Sequence, residues 1–369
     1  MWRLALFLGI LAAAFGNAHA QWEIENSTTT ADLRGIDNVG GGVAWASGTN
    51  GTVVRTEDGG YMWQPCTVPT GAEKLDFRGI QAFDANTAIV MSSGKGDLSR
   101  LYKTTDGCQT WKLVFTNPDK DGFWDALQVE PLTGYMGDQH FAIIVGDPVG
   151  GSFVIELSND SGDTWKRLQL PASLPNEGAF AASNSALLSD WGDGVFLFGT
   201  SGPEGARIFT RCDPCFEKPF DSADWYVQAM PMFGSGPAIG IFSIAADLTG
   251  RPRFVAVGGD YKKPNAAGIA AYTGKRYLTH WSVAQTPPHG YRSAVAYDSA
   301  SKTWITVGPN GTDVSTDDGR NWRALHPNPA IHEPADADRN WNALSLPFVV
   351  GPHGRIGKLN PKALKAAAH

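Results

Sequence analysis

The chain has 369 residues, 43 of them Gly and 13 Trp, with charged residues at 18% and a formal net charge of −7. That balance argues against nucleic acid, which needs a basic face. The Gly- and Trp-rich, lightly charged composition favours turns and strands over helices. Met1–Trp2–Arg3 opens a short basic start, followed by the apolar run LALFLGILAAAF and the small-residue signal Ala18-His19-Ala20. This reads as a secretory signal peptide over residues 1–20, cleaved near Ala20, so the chain is expected to be periplasmic or extracellular. No later stretch approaches the ~20 apolar residues a membrane span requires, so no transmembrane segment is expected.

The mature chain carries a repeated loop. TEDGGYMW (Thr56–Trp63), TTDGCQTW (Thr104–Trp111), SNDSGDTW (Ser158–Trp165) and STDDGRNW (Ser315–Trp322) share Ser/Thr-x-Asp with Trp in the eighth place. Two worn copies, Thr210–Trp225 and Thr273–Trp281, lie between them. The six Trp residues recur every 41 to 60 positions, which with four short strands per unit points to a β-propeller. In this loop Asp58, Asp106, Asp160 and Asp317 are expected to bond backbone N–H groups of their own turn. Trp63, Trp111, Trp165 and Trp322 are expected to wedge between neighbouring sheets. None of these residues points to catalysis.

In chain order the first unit reads DLRGIDNV, GVAWASGTNG, TVVRTEDGG and MWQPCTV. The second is DFRGIQAF, TAIVMSSGKG, SRLYKTTDG and TWKLVF, and the third WDALQVE, HFAIIVGDPVGG, FVIELSNDSG and TWKRLQL. The fourth starts at AFAASNSAL, the fifth at GIFSIAAD and the sixth at YRSAVAYD. A seventh, NWNALSL, PFVVGPHG and RIGKLN, lacks its fourth strand. QWEIEN at the mature N-terminus, with Trp22 in the repeat's Trp position, supplies it and closes the ring. The expectation is an all-β, seven-bladed propeller spanning 21–360, with six or eight blades as the neighbouring alternatives. The 361–369 tail is read as peripheral and the protein as a monomer. Cys66, Cys108, Cys212 and Cys215 allow up to two disulfides in an oxidising compartment, with a local Cys212–Cys215 staple preferred over a redox motif.

Candidate binding residues follow from the topology. Inner-strand starts and second-to-third strand loops share one face of the ring, and the Asp-bearing loops lie on the other. Equivalent inner-strand starts carry Arg34, Arg78 and Arg292, with Asp125 and Asn342 at the matching third and seventh positions. Three guanidiniums around one mouth would hold a carboxylate or phosphate, unless each pairs with a neighbouring carboxylate such as Asp125 or Glu177. Loops on this face add Asp147, Asp260 and Tyr261. No nucleophile elbow, His-Glu-x-x-His or phosphate-binding loop occurs, and no metal site or cofactor is expected.

The repeated loop resembles the Asp-box, or BNR repeat, of the sialidase superfamily. FRGI, GTNGTVVRTEDGG and DGCQTWK are more closely similar to the photosystem II stability/assembly factor-like family. That resemblance implies a non-enzymatic propeller that docks a protein partner through an Arg-bearing patch. The runs GAFAAS, GGDYKKP and GYRSAVAY are similar to secreted bacterial homologues. A sialidase-like or other glycoside hydrolase is the alternative. It would need paired carboxylates or a Tyr–Glu pair across the channel, drawn from Asp125, Asp147, Glu177, Asp260, Tyr261 and Tyr291. The ligand implied is therefore a protein segment or a small anionic or carbohydrate molecule.

Overall fold

A computed structural model describes residues 21–131, 140–168, 172–190, 195–212, 225–274 and 280–366. Within them the chain forms seven four-stranded antiparallel sheets, each in simple up-and-down order. The inner strands are Leu33–Gly40, Phe77–Ala82, Trp124–Pro131, Leu187–Asp190, Ile239–Asp247, Ala294–Asp298 and Ala343–Ser345, which number the blades 1 to 7. Blade 7 is completed by the N-terminal strand Trp22–Glu25, paired antiparallel with Ile356–Leu359 so that Trp22 faces Leu359 and Glu25 faces Ile356. The ring is thus shut by hydrogen bonds between the two ends of the fold, and no blade is left with an unpaired third strand.

The core lies between the blades. Seven hydrophobic clusters occupy the seven blade junctions, each drawing from the facing sides of two sheets. The repeated Trp sits at these junctions and packs on the preceding blade. Trp63 meets Phe348 of blade 7 edge-on at 5.4 Å, and Trp165 stacks on Phe115 of blade 2 at 5.8 Å. Trp22 packs with Val307 and Val314 of blade 6 and lies 6.0 Å from Trp341. The short helix Pro361–Ala366 joins this last junction through Leu364, which is buried.

The four well-preserved loops adopt one hydrogen-bond pattern. The Ser/Thr hydroxyl donates to the Asp carboxylate at 2.7–2.9 Å and accepts the N–H four residues on. The same Asp oxygen accepts the N–H of Met62, Thr110, Thr164 or Asn321 at 2.9–3.0 Å. These donors stabilise the anion. Asp106 is held down to about 2, first by the Thr110 hydroxyl and then by the Thr110 N–H.

Cys108 stands where the other loops have Gly60, Gly162 and Gly319, and like them has positive φ (63°). Its sulfur is bonded to Cys66 of blade 1 with Cα atoms 5.3 Å apart. Blades 1 and 2 are therefore linked covalently, a pairing the spacing alone left open. Of the other two cysteines, Cys215 lies outside the described residues, as does residues 1–20, the leader read from the sequence.

Blade 4 departs from expectation. AFAASNSAL was expected to form its inner strand, but that strand runs from Leu187 to Asp190. Asn184 has φ of 63°, which a strand does not allow, and its amide imitates a strand neighbour instead. Its Oδ1 accepts from Leu127 N (2.7 Å) and its Nδ2 donates to Leu127 O (2.8 Å). Ser183 donates to Ser293 O of blade 6, and Ser185 bonds Ser243 of blade 5. The segment before blade 4 thus spends its polar groups on three other inner strands, and its Ala181 and Ala182 help line the cavity described next.

Candidate functional site

A cavity of about 470 Å³ opens where the inner strands begin, on the face opposite the Asp-bearing loops. Six of the seven blades contribute to its wall. Blades 1 and 2 supply Arg34 and Arg78, blade 7 Asn342, blade 6 Tyr291, blade 5 Tyr261 and Phe242, and the lead-in to blade 4 Phe180. A cavity of this size suits a small molecule or the end of a peptide. The described residues lining it include no carboxylate.

Arg34 and Arg78 share one counter-ion. Arg78 Nε donates to Asp76 Oδ2 at 2.8 Å and its Nη1 to the carbonyl of Ala181 at 3.1 Å. Arg34 Nε lies 3.6 Å from Asp76 Oδ1, an ionic contact too long for a hydrogen bond. Both of those atoms are buried without a hydrogen-bond partner among the described residues. The side chains are 30% and 32% exposed, so two guanidiniums face solvent against a single carboxylate. The pair therefore outweighs its counter-ion and leaves net positive charge at the mouth.

Arg292 does not join them. It is 1% exposed, and its Nε and Nη2 both bond Asp313 Oδ2, the first at 2.7 Å. Its Nη1 donates to the Tyr291 carbonyl and to Asn310 Oδ1. Asp313 is itself fully buried and also meets His289 Nδ1 at 2.6 Å. The expected triad is therefore a pair. Asn342 is present at the mouth, with its Nδ2 donating to Leu33 O at 2.8 Å.

The carboxylates weighed for catalysis do not line this cavity among the described residues; Asp147 lies beside Asp125 and shares a second cavity with Glu177. Glu177 is buried and saturated: it pairs with Arg207, accepts from the Thr200 hydroxyl at 2.7 Å and from Leu174 N at 2.9 Å. Asp260 shapes its own loop by accepting from Lys262 N at 3.0 Å. Asp125 is 2% exposed, and its Oδ2 has no hydrogen-bond partner among the described residues. Burial, then the charge of Asp147, push its carboxyl well above the usual range, while Arg78 pulls it down. Asp147 accepts from Ala179 N at 3.0 Å, is raised by burial, and lines a separate cavity of about 680 Å³ with Asp121 and Glu177. Tyr291 is 6% exposed and burial pushes its phenol up, away from the phenolate a nucleophile requires. No Glu is paired with either Tyr at the cavity among the described residues.

Sequence reasoning missed three contributors. Asp76 stands two residues before Arg78, a spacing visible in DFR, but Asp32 stands in the same relation to Arg34 and accepts from His353 N instead. Phe180 and Phe242 belong to runs that read only as strand residues. They form a stack with ring centroids 3.6 Å apart.

No protein-family model matches the chain, and none of the curated proteins does. Solved structures do. YCF48 from Cyanidioschyzon merolae superposes with a TM-score of 0.61 at 19% identity, over 93% of this chain and all of that one. A structure of YCF48 bound to D1 peptide gives 0.61 at 17% identity, over 93% and 97%. The chain shares its fold with YCF48. A GH74 xyloglucanase from Xanthomonas campestris also matches, at 0.60 and 15% identity, over 94% of this chain and 54% of that enzyme. At these identities the likeness is one of fold, so function has to be argued from the cavity.

Proposed function

We propose that this chain is an exported, non-enzymatic propeller of the Asp-box type that captures a carboxylate-bearing protein segment at the Arg34/Arg78 mouth. The observation that carries the reading is the sharing of Asp76 by two partly exposed guanidiniums at the rim of the cavity. A peptide-bound structure exists for a propeller of the same fold, which supports a peptide over a free metabolite. Export draws support from the Cys66–Cys108 disulfide, a bond that persists in oxidising compartments. N-terminal sequencing of the mature protein, expected to begin at Gln21, tests it.

The binding reading is tested with immobilised protein and short peptides that carry or lack a free carboxylate. Wild type is expected to retain the carboxylate peptides, and the Arg34→Gln/Arg78→Gln variant to lose them by at least tenfold. Retention unchanged in that folded variant would overturn the reading. The hydrolytic alternative rests on Asp125 and Asp147, but Asp125 is shut away from solvent. Turnover of a fluorogenic glycoside panel that vanishes in Asp147→Asn would establish that alternative instead.

A further inference from the structure

We propose that the cavity selects a chain terminus ending in an aromatic residue, with its α-carboxylate on Arg34 and Arg78 and its ring against Phe180 and Tyr261. The inference rests on the carboxylate-binding reading and names what the rest of the cavity does. The two walls differ in chemistry. Arg34 and Arg78 come from blades 1 and 2, whereas Phe180 and Tyr261 come from the lead-in to blade 4 and from blade 5. One wall is cationic and the other aromatic, as an amphipathic ligand needs.

The aromatic wall is built rather than incidental. Phe180 stacks on Phe242 at 3.6 Å and 12° between planes. Tyr291 meets Phe242 edge-on at 4.7 Å and 80°. Phe242 and Tyr291 are buried, so they form a fixed base beneath the outer rings. Tyr261 stands edge-on to both Phe180 and Phe242, at 6.3 and 6.2 Å, yet remains 45% exposed. A Tyr held by two rings and still open to solvent offers a rigid amphipathic surface that loses little entropy on binding. Lys262 Nζ lies 5.9 Å from the Tyr261 ring and adds positive charge on that side too.

The shape of the rim decides between a chain end and the middle of a chain. Among the described residues, six blades wall the cavity and blade 3 does not. A terminus enters such a ring end-on, while an internal acidic segment must both enter and leave. In a terminal aromatic residue the carboxylate and the ring diverge from one Cα, so both walls can be engaged by a single residue.

Fluorescence anisotropy with the full chain tests this, using labelled pentapeptides that differ at the end: Phe carboxylate, Phe amide, Ala carboxylate, and an amidated peptide with internal Glu-Phe. The Phe carboxylate peptide is expected to bind best, with the Phe amide, Ala carboxylate and internal Glu-Phe peptides each about tenfold weaker or worse. Tyr261→Ala and Phe180→Leu should bring the Phe carboxylate peptide down toward the Ala carboxylate peptide and leave the latter unchanged. Thermal melts of both variants confirm folding, and Tyr261, being half exposed, can be removed without a core cavity. Equal binding of the Phe and Ala carboxylates, still lost in Arg34→Gln/Arg78→Gln, would overturn the aromatic selection and leave the carboxylate reading standing. Equal or better binding of the internal Glu-Phe peptide would overturn the chain-end assignment. Binding of any peptide that ignores the Arg substitutions, or no binding at all, would overturn both.

Discussion

Blades 1 and 2 and blade 6 place an arginine at the same inner-strand start, and the three side chains meet different fates. Arg34 and Arg78 are about a third exposed and divide one carboxylate between them. Arg292 is sealed inside its blade against Asp313. The difference traces to the third strand. Asp313 lies two residues before the Ser that opens the repeated loop; in blades 1 and 2 that place is held by Val54 and Tyr102. Both are buried, and neither carries a carboxylate with which a guanidinium could pair. An arginine with an acid in its own sheet is drawn in, and one without is left at the rim. The open pair is also the pair of blades tied by Cys66–Cys108.

The strongest way to break this contrast is to remove the acid of blade 6. Asp313→Ala leaves Arg292 buried and unpaired, at an expected cost of about 3–5 kcal/mol, read by denaturant unfolding. The Arg292→Met/Asp313→Leu double variant should recover most of that loss, because it removes both charges; failure to recover would mean that the pair does more than neutralise itself.

Cutting the covalent tie is the next largest effect. Cys66→Ala with Cys108→Gly opens a loop of 42 residues and is expected to cost roughly 2–4 kcal/mol. The two sites share no partner, so the losses should add. Marked non-additivity would show that the ring couples blades 1 and 6.

Asp125 sharpens the contrast through pH. It occupies the matching start in blade 3, and its folded carboxyl is raised above the unfolded value, mainly by burial. As pH rises past about 4, the unfolded chain loses this proton while the folded chain keeps it, so the group's contribution turns against folding. Asp125→Asn should therefore be more stable than wild type at pH 7, and the gap should close as pH falls below about 4. A gap independent of pH would show that Asp125 is ionised in the fold. The smallest effect on stability is expected from Arg34→Gln. A partly exposed arginine whose ion pair is long should cost no more than about 0.5 kcal/mol, while ligand binding falls.

Much of the fold was legible because its signals are local. Each Ser/Thr-x-Asp loop folds on its own hydrogen bonds, and its Trp must find a sheet to pack on, so repeats of the loop count out blades. The missing fourth strand of the last unit and the stray QWEIEN were complementary halves. Blade 4 escaped because Ser183, Asn184 and Ser185 take their partners from Leu127, Ser243 and Ser293, residues 57 to 110 positions away. No local pattern records such contacts.

The sequence by itself determined a closed ring of seven units, the face on which each loop lies, and the residues that start each inner strand. Period, turn chemistry and hydrophobic alternation are properties of short stretches, and they add along a repeat. Tertiary structure alone decided which arginines remain at the mouth, that Asp76 serves two of them, that Glu177 is spent on Arg207, and that Phe180 and Tyr261 share a cavity with the guanidiniums. A charge goes where its nearest acceptor lets it, and in a ring that acceptor often belongs to a strand or blade far away in sequence.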